Sequence, residues 1–195
     1  MENTVKLIGY YGSDETHACS AWVSTSRELT EDKRARIPKM LKTLADAGHH
    51  TVFEKSALHF LVNSEIATHA QLLKHRIGVS INAESARYKE LKEDKFYIPE
   101  DWNNIRCSEA FDTLNVFGSE DIDITNIKWQ KLLKEYTEIC NTLYHHCVSD
   151  LEPVLGRKRA KESARFFKTY NSQIECDIQF NWRSFATFLR LRKHK

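Results

Sequence analysis

Lys74, His75 and Arg76 stand side by side, and Ser80, Asn82, Glu84, Ser85 and Arg87 follow before Tyr88, all within the stretch KHRIGVSINAESARY. This short segment collects ammonium, imidazole, guanidinium, hydroxyl, amide and carboxylate groups. Arginines suit phosphate because each offers two parallel charge-assisted hydrogen bonds, and hydroxyls complete the grip. The chain has no G-x-G-x-x-G and no G-x-x-x-x-G-K-[ST] loop, so a nucleotide bound here is held by side chains and not by a glycine-rich cradle. The simpler reading of Lys74-His75-Arg76, cations placed at a helix C-terminus where the backbone dipole favours them, leaves Ser85 and Arg87 unexplained.

The elements that must position these groups read as an α+β domain. VKLIGYY (5–11) is a β-rich run ended by the turn signal Gly12-Ser13-Asp14. Pro38 followed by Met40, Leu41, Leu44 and Ala45, with Gly48 after them, predicts an amphipathic helix with proline in its first turn. Residues 57–62 read as a strand, after which Asn63 or Ser64 caps a helix carrying Ile66, Ala70, Leu73 and Ile77 at helical spacing. The polar segment beyond Ile77 reads as irregular. Further helices are predicted over about 125–148, with Leu132, Tyr136, Ile139, Leu143 and Cys147 on one face, over 158–167 and over 184–192. Strands are predicted at 96–98 and 175–180, and an acidic loop at 118–123.

Composition narrows the function classes. A chain of 195 residues with 41% hydrophobic and 29% charged residues is expected to form one domain with a real core. No apolar run reaches the roughly 20 residues needed to span a bilayer, and the N-terminus lacks the pattern of a secretory leader. Five scattered cysteines, Cys19, Cys107, Cys140, Cys147 and Cys176, with no CxxC pair, read as reduced thiols of a cytoplasmic protein. His145-His146 has no third ligand at metal spacing, and no metal site is expected. The net charge is only +2, but the excess gathers after Arg157, in GRKRAKESAR and LRLRKHK, which suggests an anionic partner.

KHRIGVSINAESARY resembles the signature of the flavin-dependent thymidylate synthases, Arg-His-Arg followed by seven residues, a serine and Arg-Tyr. Other blocks agree in order: Gly48-His49-His50-Thr51-Val52-Phe53-Glu54, Phe96-Tyr97-Ile98-Pro99, Ala164-Arg165, Asn181-x-Arg183-Ser184 and Leu189-Arg190-Leu191-Arg192. The resemblance runs from about Val5 to Arg192. Lys74 stands for the first arginine, Val52 for a common proline, and one extra residue separates Arg76 from Ser85, so that Ala83 or Glu84 takes the usual glutamate's place. Glu84 is favoured, since Ala83 has no polar side-chain atom. Family members usually continue into another helix, so residues 1–195 are expected to form one such domain without it.

The resemblance implies a central, mostly antiparallel sheet flanked by helices, and a methyltransferase that converts dUMP to dTMP. Methylenetetrahydrofolate would give the carbon, FAD the hydride, and NADPH would reduce the flavin. The residues implied for dUMP are Gln71, Lys74, Glu84, Ser85, Arg87, Arg165 and Arg192. Those implied for FAD are Ser24, His49, Thr51, Lys74, His75, Arg76, Ile77, Asn82, Glu84, Asn181, Arg183 and Thr187. Thr187 replaces a usual asparagine. Arg192 is the implied catalytic group: a guanidinium at uracil's imide stabilises charge as the ring is activated. Its alternative is a solvent-facing arginine in a basic tail. The active site would be assembled between subunits of a homotetramer, with no membrane and no nucleic acid as partner. Two other readings stand beside this one. One is a flavoprotein of the same fold that is truncated or modifies dUMP differently. The other is a nucleic-acid-binding module in which Phe166, Phe167, Tyr170 and Trp182 stack on bases, although these aromatics recur at spacings expected of core packing.

Overall fold

The structure, a computed structural model, describes residues 2–26, 28–91, 93–107 and 128–193. In chain order its elements are β1 (Thr4–Tyr11), α1 (Asp14–Trp22), α2 (Glu31–Asp46), β2 (Ala57–Glu65), α3 (Ile66–Leu72), β3 (Val79–Ala83), α4 (Trp129–Leu155), α5 (Arg157–Ala164), β4 (Gln173–Phe180) and α6 (Trp182–Arg192). Short 3-10 turns occupy His50–Glu54, Glu100–Trp102 and Arg165–Phe167. The chain divides into two compact units. A sheet unit takes Thr4–Asn63, Ala70–Ala83 and Glu175–Lys195, and a helical unit takes Met1–Asn3, Ser64–His69 and Glu84–Ile174.

The strands form one sheet in the order β1-β2-β4-β3, with β1 antiparallel to β2 and β3 antiparallel to β4. This is the expected α+β arrangement with antiparallel pairing. Period-two patterning explains β4: Cys176, Ile178 and Phe180 point to one face and are buried, whereas Glu175 and Gln179 are exposed. Together with Val62 they form a core cluster onto which Val79, Ile81 and Ala83 of β3 and Phe185 and Phe188 of α6 pack. A second cluster in the same unit joins Ala18 of α1, Ile37 and Leu41 of α2 and Phe53.

Several boundaries differ from the sequence expectations. The turn signal at Ser13 is the cap of α1, the Ser13 hydroxyl accepting from Thr16 N–H. Helix α2 starts well before Pro38, at a Thr30 cap that accepts from Lys33 N–H, and carries Pro38 in its interior. The cap and the acidic Glu31 and Asp32 favour that earlier start. Strand β2 runs through Asn63 and Ser64, which therefore cap nothing, and α3 ends at Leu72, leaving Ile77 84% exposed. The segment after it is no irregular loop. Val79, Ile81 and Ala83 alternate with exposed Ser80 and Asn82 as a strand paired to β4. Phe96-Tyr97-Ile98 is not a strand; Phe96 makes an isolated bridge to Ser172, and Tyr97 N–H donates to the Asn171 carbonyl. The acidic run at 118–123 and the expected helix start at 125–127 lie outside the described residues.

In the helical unit, α4 buries Thr137, Cys140, Asn141, Tyr144 and Val148. The face carrying Tyr136, Ile139 and Leu143 is the exposed one. Phe166 (84%) and Tyr170 (73%) are likewise exposed, which overturns the expectation that these aromatics pack as core. Lys168 is buried, donating to Asp94 at 2.7 Å and Asn141 at 2.8 Å with its ammonium 4.5 Å from the Tyr144 ring centre. The second carboxylate oxygen of Asp94 lies 2.9 Å from His145. Partial burial pushes the Asp94 carboxyl up, but hydrogen bonds from Lys168 and His145 outweigh it and hold the group below the usual carboxylate range. A depressed carboxylate contributes stability that is full above the unfolded value, about 3.9, and is lost as pH falls through the folded one. Asp94 also has φ of +47°, a backbone state that asparagine tolerates. Asp94→Asn is therefore expected to cost about 1–3 kcal/mol at pH 7. In urea titrations the gap to the parent should close below about pH 4; a gap independent of pH would show that the charge is not what stabilises.

Candidate active site

Three backbone latches fix the residues after α3. Lys74 N–H donates to the Gln71 carbonyl, the Ser184 hydroxyl donates to the Ile77 carbonyl at 2.6 Å, and Asn181 N–H donates to the Gly78 carbonyl at 3.0 Å. Asn181 also caps α6, its side-chain oxygen accepting from Ser184 N–H at 2.9 Å. Gly78 has φ of +64°, and a Cβ there would lie 2.2 Å from Asn181 Nδ2, so only glycine allows this approach. Gly78 thus ties the cationic segment to α6. Its contact with Asn181 gave no motif to the sequence reading.

The latches place His75 against the last turn of α6. The His75 ring packs edge-on to Phe188, and its Nε2 lies 3.2 Å from Arg192 Nη2. A guanidinium only donates, so in this contact Nε2 of His75 is the acceptor. Two residues expected at the site from separate blocks are thereby brought together. Among the described residues the side chains of Lys74 and Arg76 have no partner, and both are exposed. Gln71 is exposed at the end of α3, and Ser24, in the turn after α1, donates to the Ala21 carbonyl.

On the same unit, Arg183, Ala186, Thr187 and Arg190 recur at helical spacing along α6. With Ala45, His50, Phe53 and Trp182 they line a cleft of about 210 Å³. Arg183 is paired with Glu54, and the Thr187 hydroxyl donates back to the Arg183 carbonyl at 3.1 Å. Exposed His49 and Thr51 flank His50 in the chain. A cleft lined by Phe53, Trp182 and two arginines has the chemistry to take an aromatic ligand that carries phosphate, and its volume admits part of a dinucleotide. Arg190, Trp182 and His50 were not expected as lining residues; the i, i+3, i+7 spacing of Arg183, Ala186 and Arg190 was the available signal.

The helical unit holds the other expected residues. Residues 86–88 turn directly after Ser85: Tyr88 and Lys89 N–H both donate to the Ser85 carbonyl, and Arg87 N–H meets the Ser85 hydroxyl at 3.3 Å. Glu84 is paired with Lys89, whereas Ala83 packs into the β4 cluster of the sheet unit. Arg87 is exposed on the turn and Arg165 follows α5. Both act on Glu162. A 3.1 Å hydrogen bond from Arg159 holds the Glu162 carboxyl below the usual range, burial opposes it, and the charges of Arg87, Arg159 and Arg165 pull with the hydrogen bond. Glu162 was not among the expected residues; its ion pair is with Arg159.

The family model described as thymidylate synthase complementing protein matches residues 6–195. A flavin-dependent thymidylate synthase of Kosmotoga olearia is 33% identical over 188 residues, covering 96% of this chain and 75% of that one. One of Pseudothermotoga lettingae is 29% identical over the same shares. Among solved structures, the UMP/dUMP methylase PolB of Streptomyces cacaoi bound with 5-Br dUMP superposes with a TM-score of 0.73 at 26% identity, covering 100% of this chain and 79% of that one. The same enzyme bound with 5-Br UMP gives 0.71 at 28%, covering 100% and 78%. With a family model spanning residues 6–195 and a relative 33% identical across 96% of this chain, the chain belongs to the thymidylate synthase complementing protein family, that of the flavin-dependent thymidylate synthases.

Proposed function

We propose that the protein methylates dUMP to dTMP with a bound flavin, taking the carbon from methylenetetrahydrofolate and its reducing equivalents from NADPH. The observation that carries this reading is the turn that sets the Arg87 N–H on the Ser85 hydroxyl and leaves the Arg87 side chain exposed. Together with Arg165, two guanidiniums and a hydroxyl would form a receptor for a phosphate dianion. FAD would be held by residues of the sheet unit, Ser24, His49, Thr51, Lys74, His75, Arg76, Ile77, Asn82, Asn181, Arg183 and Thr187, with Glu84 beyond the end of β3. When bound, the flavin supplies the hydride chemistry that no side chain can. Arg192, held by His75, donates to the uracil imide, and Gln71 and Lys74 complete the nucleotide contacts. The exposed apolar face Tyr136, Ile139 and Leu143 of α4 supports assembly into a homotetramer, since such surface is seldom left to water. Five free cysteines support a reducing, cytoplasmic setting, and among the described residues no helix is long and apolar enough to cross a membrane.

The test is a yellow protein with a flavin absorbance spectrum that forms dTMP from dUMP, methylenetetrahydrofolate and NADPH. A colourless protein that takes up no FAD and makes no dTMP would overturn the reading. UMP is run beside dUMP, because the solved relative is a UMP/dUMP methylase crystallised with analogues of both. Methylation of UMP at a comparable rate would favour that second substrate.

Lys74 supplies a point charge where the family's motif has a flat, two-pronged cation. Lys74→Arg is accordingly expected to keep or tighten nucleotide binding, and Lys74→Ala to weaken it about ten-fold or more, with little change in melting temperature because the side chain is exposed. Loss of binding in the arginine variant alone would show that Lys74 does not stand in the arginine's place.

A further inference from the structure

We infer that Lys161 is a positioning residue for substrate phosphate: its buried ammonium clamps the carbonyl of Tyr88 and so fixes the Ser85–Tyr88 turn that presents Ser85 and Arg87. The inference rests on the reading of those residues as a phosphate receptor. Lys161 is 7% exposed. A lysine that deep is ordinarily neutralised by a carboxylate. Here, among the described residues, its ammonium has a single hydrogen-bond partner, the Tyr88 carbonyl at 2.7 Å. That carbonyl closes a turn whose other end is pinned by Tyr88 N–H and Lys89 N–H on the Ser85 carbonyl. One turn earlier on α5, the ammonium of Lys158 sits 4.9 Å from the Tyr88 ring centre, so α5 holds Tyr88 by backbone and by side chain.

Spacing makes this arrangement a device. Lys158, Lys161 and Arg165 stand at i, i+3 and i+7, on one face of α5 and its continuation. Two of them hold the turn and the third belongs to the receptor, so the clamp sets the distance between Arg87 on the turn and Arg165 on the helix side. A bidentate grip on phosphate depends on that distance. The unpaired charge of Lys161 also adds to the positive potential near the receptor without touching the ligand.

Lys161→Met keeps the long unbranched stem and removes the ammonium. Kd values for dUMP and for deoxyuridine, which lacks the phosphate, are measured by titration calorimetry on FAD-loaded protein. The expected result is a roughly ten-fold weaker Kd for dUMP, equivalent to one charge-assisted hydrogen bond, with deoxyuridine binding and flavin content unchanged. Lys161→Arg should recover most of the loss. If Lys161→Met does not fold, Lys161→Gln, which keeps a donor without the charge, carries the same comparison. A parallel loss of dUMP and deoxyuridine affinity would mean a merely structural lysine and overturn the inference. So would an unchanged dUMP Kd in a folded variant, provided Arg87→Ala weakens dUMP in the same assay. If Arg87→Ala also leaves dUMP unaffected, the phosphate receptor itself is misassigned and the inference falls with it.

Discussion

Arg192→Ala is expected to retain bound FAD and most of the affinity for dUMP, yet to form dTMP about a hundred- to a thousand-fold more slowly, the usual cost of losing one preorganised donor at a developing charge. In the proposed site the flavin groups are spread over several segments of the sheet unit, so removal of one arginine leaves the rest in place. Charge that grows on the uracil imide, by contrast, has one guanidinium to meet it in this reading. An interaction realised mainly in the transition state lowers kcat more than it raises KM. The structure adds a reason why this guanidinium is well aimed: Nη2 lies 3.2 Å from Nε2 of His75, itself packed on Phe188. The competing role for Arg192 is favourable interaction with the α6 C-terminus, worth only about 0.3–1 kcal/mol at an exposed site. The two roles separate cleanly. A large fall in kcat with an almost unchanged melting temperature supports the chemical role, and Arg192→Lys, keeping charge without the fork, should fall between. An alanine variant that turns over at the parental rate would remove Arg192 from the mechanism.

What the sequence made legible follows from the range of the forces involved. The alternation in 175–180 and the periodicity near the C-terminus predicted β4 and α6 because burial repeats with the backbone's own period. The start of α2 was missed because Pro38 is a strong local signal for a first turn, while the helix opens well before it, at the Thr30 cap. Strand β3 escaped because its polar residues invited a functional reading: Ser80 and Asn82 are exposed on a strand whose other face is core. The wrong face of α4 has a different cause. Tyr136, Ile139 and Leu143 are the more apolar stripe, and yet the buried one is Thr137, Asn141 and Tyr144, whose polar atoms find partners in Asn171, Lys168 and the Leu91 N–H. Such pairs unite residues far apart in the chain and leave no local pattern. The same holds for the site. Motif residues could be named one by one, but the bond from Lys161 to the Tyr88 carbonyl is visible only once α5 is set against residues 85–88.

Arg87→Ala is expected to raise KM for dUMP by about ten- to a hundred-fold, the worth of a charge-assisted contact of roughly 1.5–3 kcal/mol. Deoxyuridine binding should be unaffected, because only the phosphate is lost from the comparison. Arg87 is exposed on its turn, so its removal should change stability by no more than about 0.5 kcal/mol. Arg165→Ala should act alike, though the two are not independent. Both guanidiniums would grip one phosphate, and groups that share a partner couple by about 0.5–3 kcal/mol, so the double variant should lose less affinity than the product of the two single losses. Raising the salt concentration should weaken dUMP binding to the parent more than to either variant, since fewer charges remain to be screened. Strictly multiplicative losses would mean that the two arginines act at separate places. An unchanged KM in a folded Arg87→Ala protein would remove residues 85–88 from substrate binding altogether.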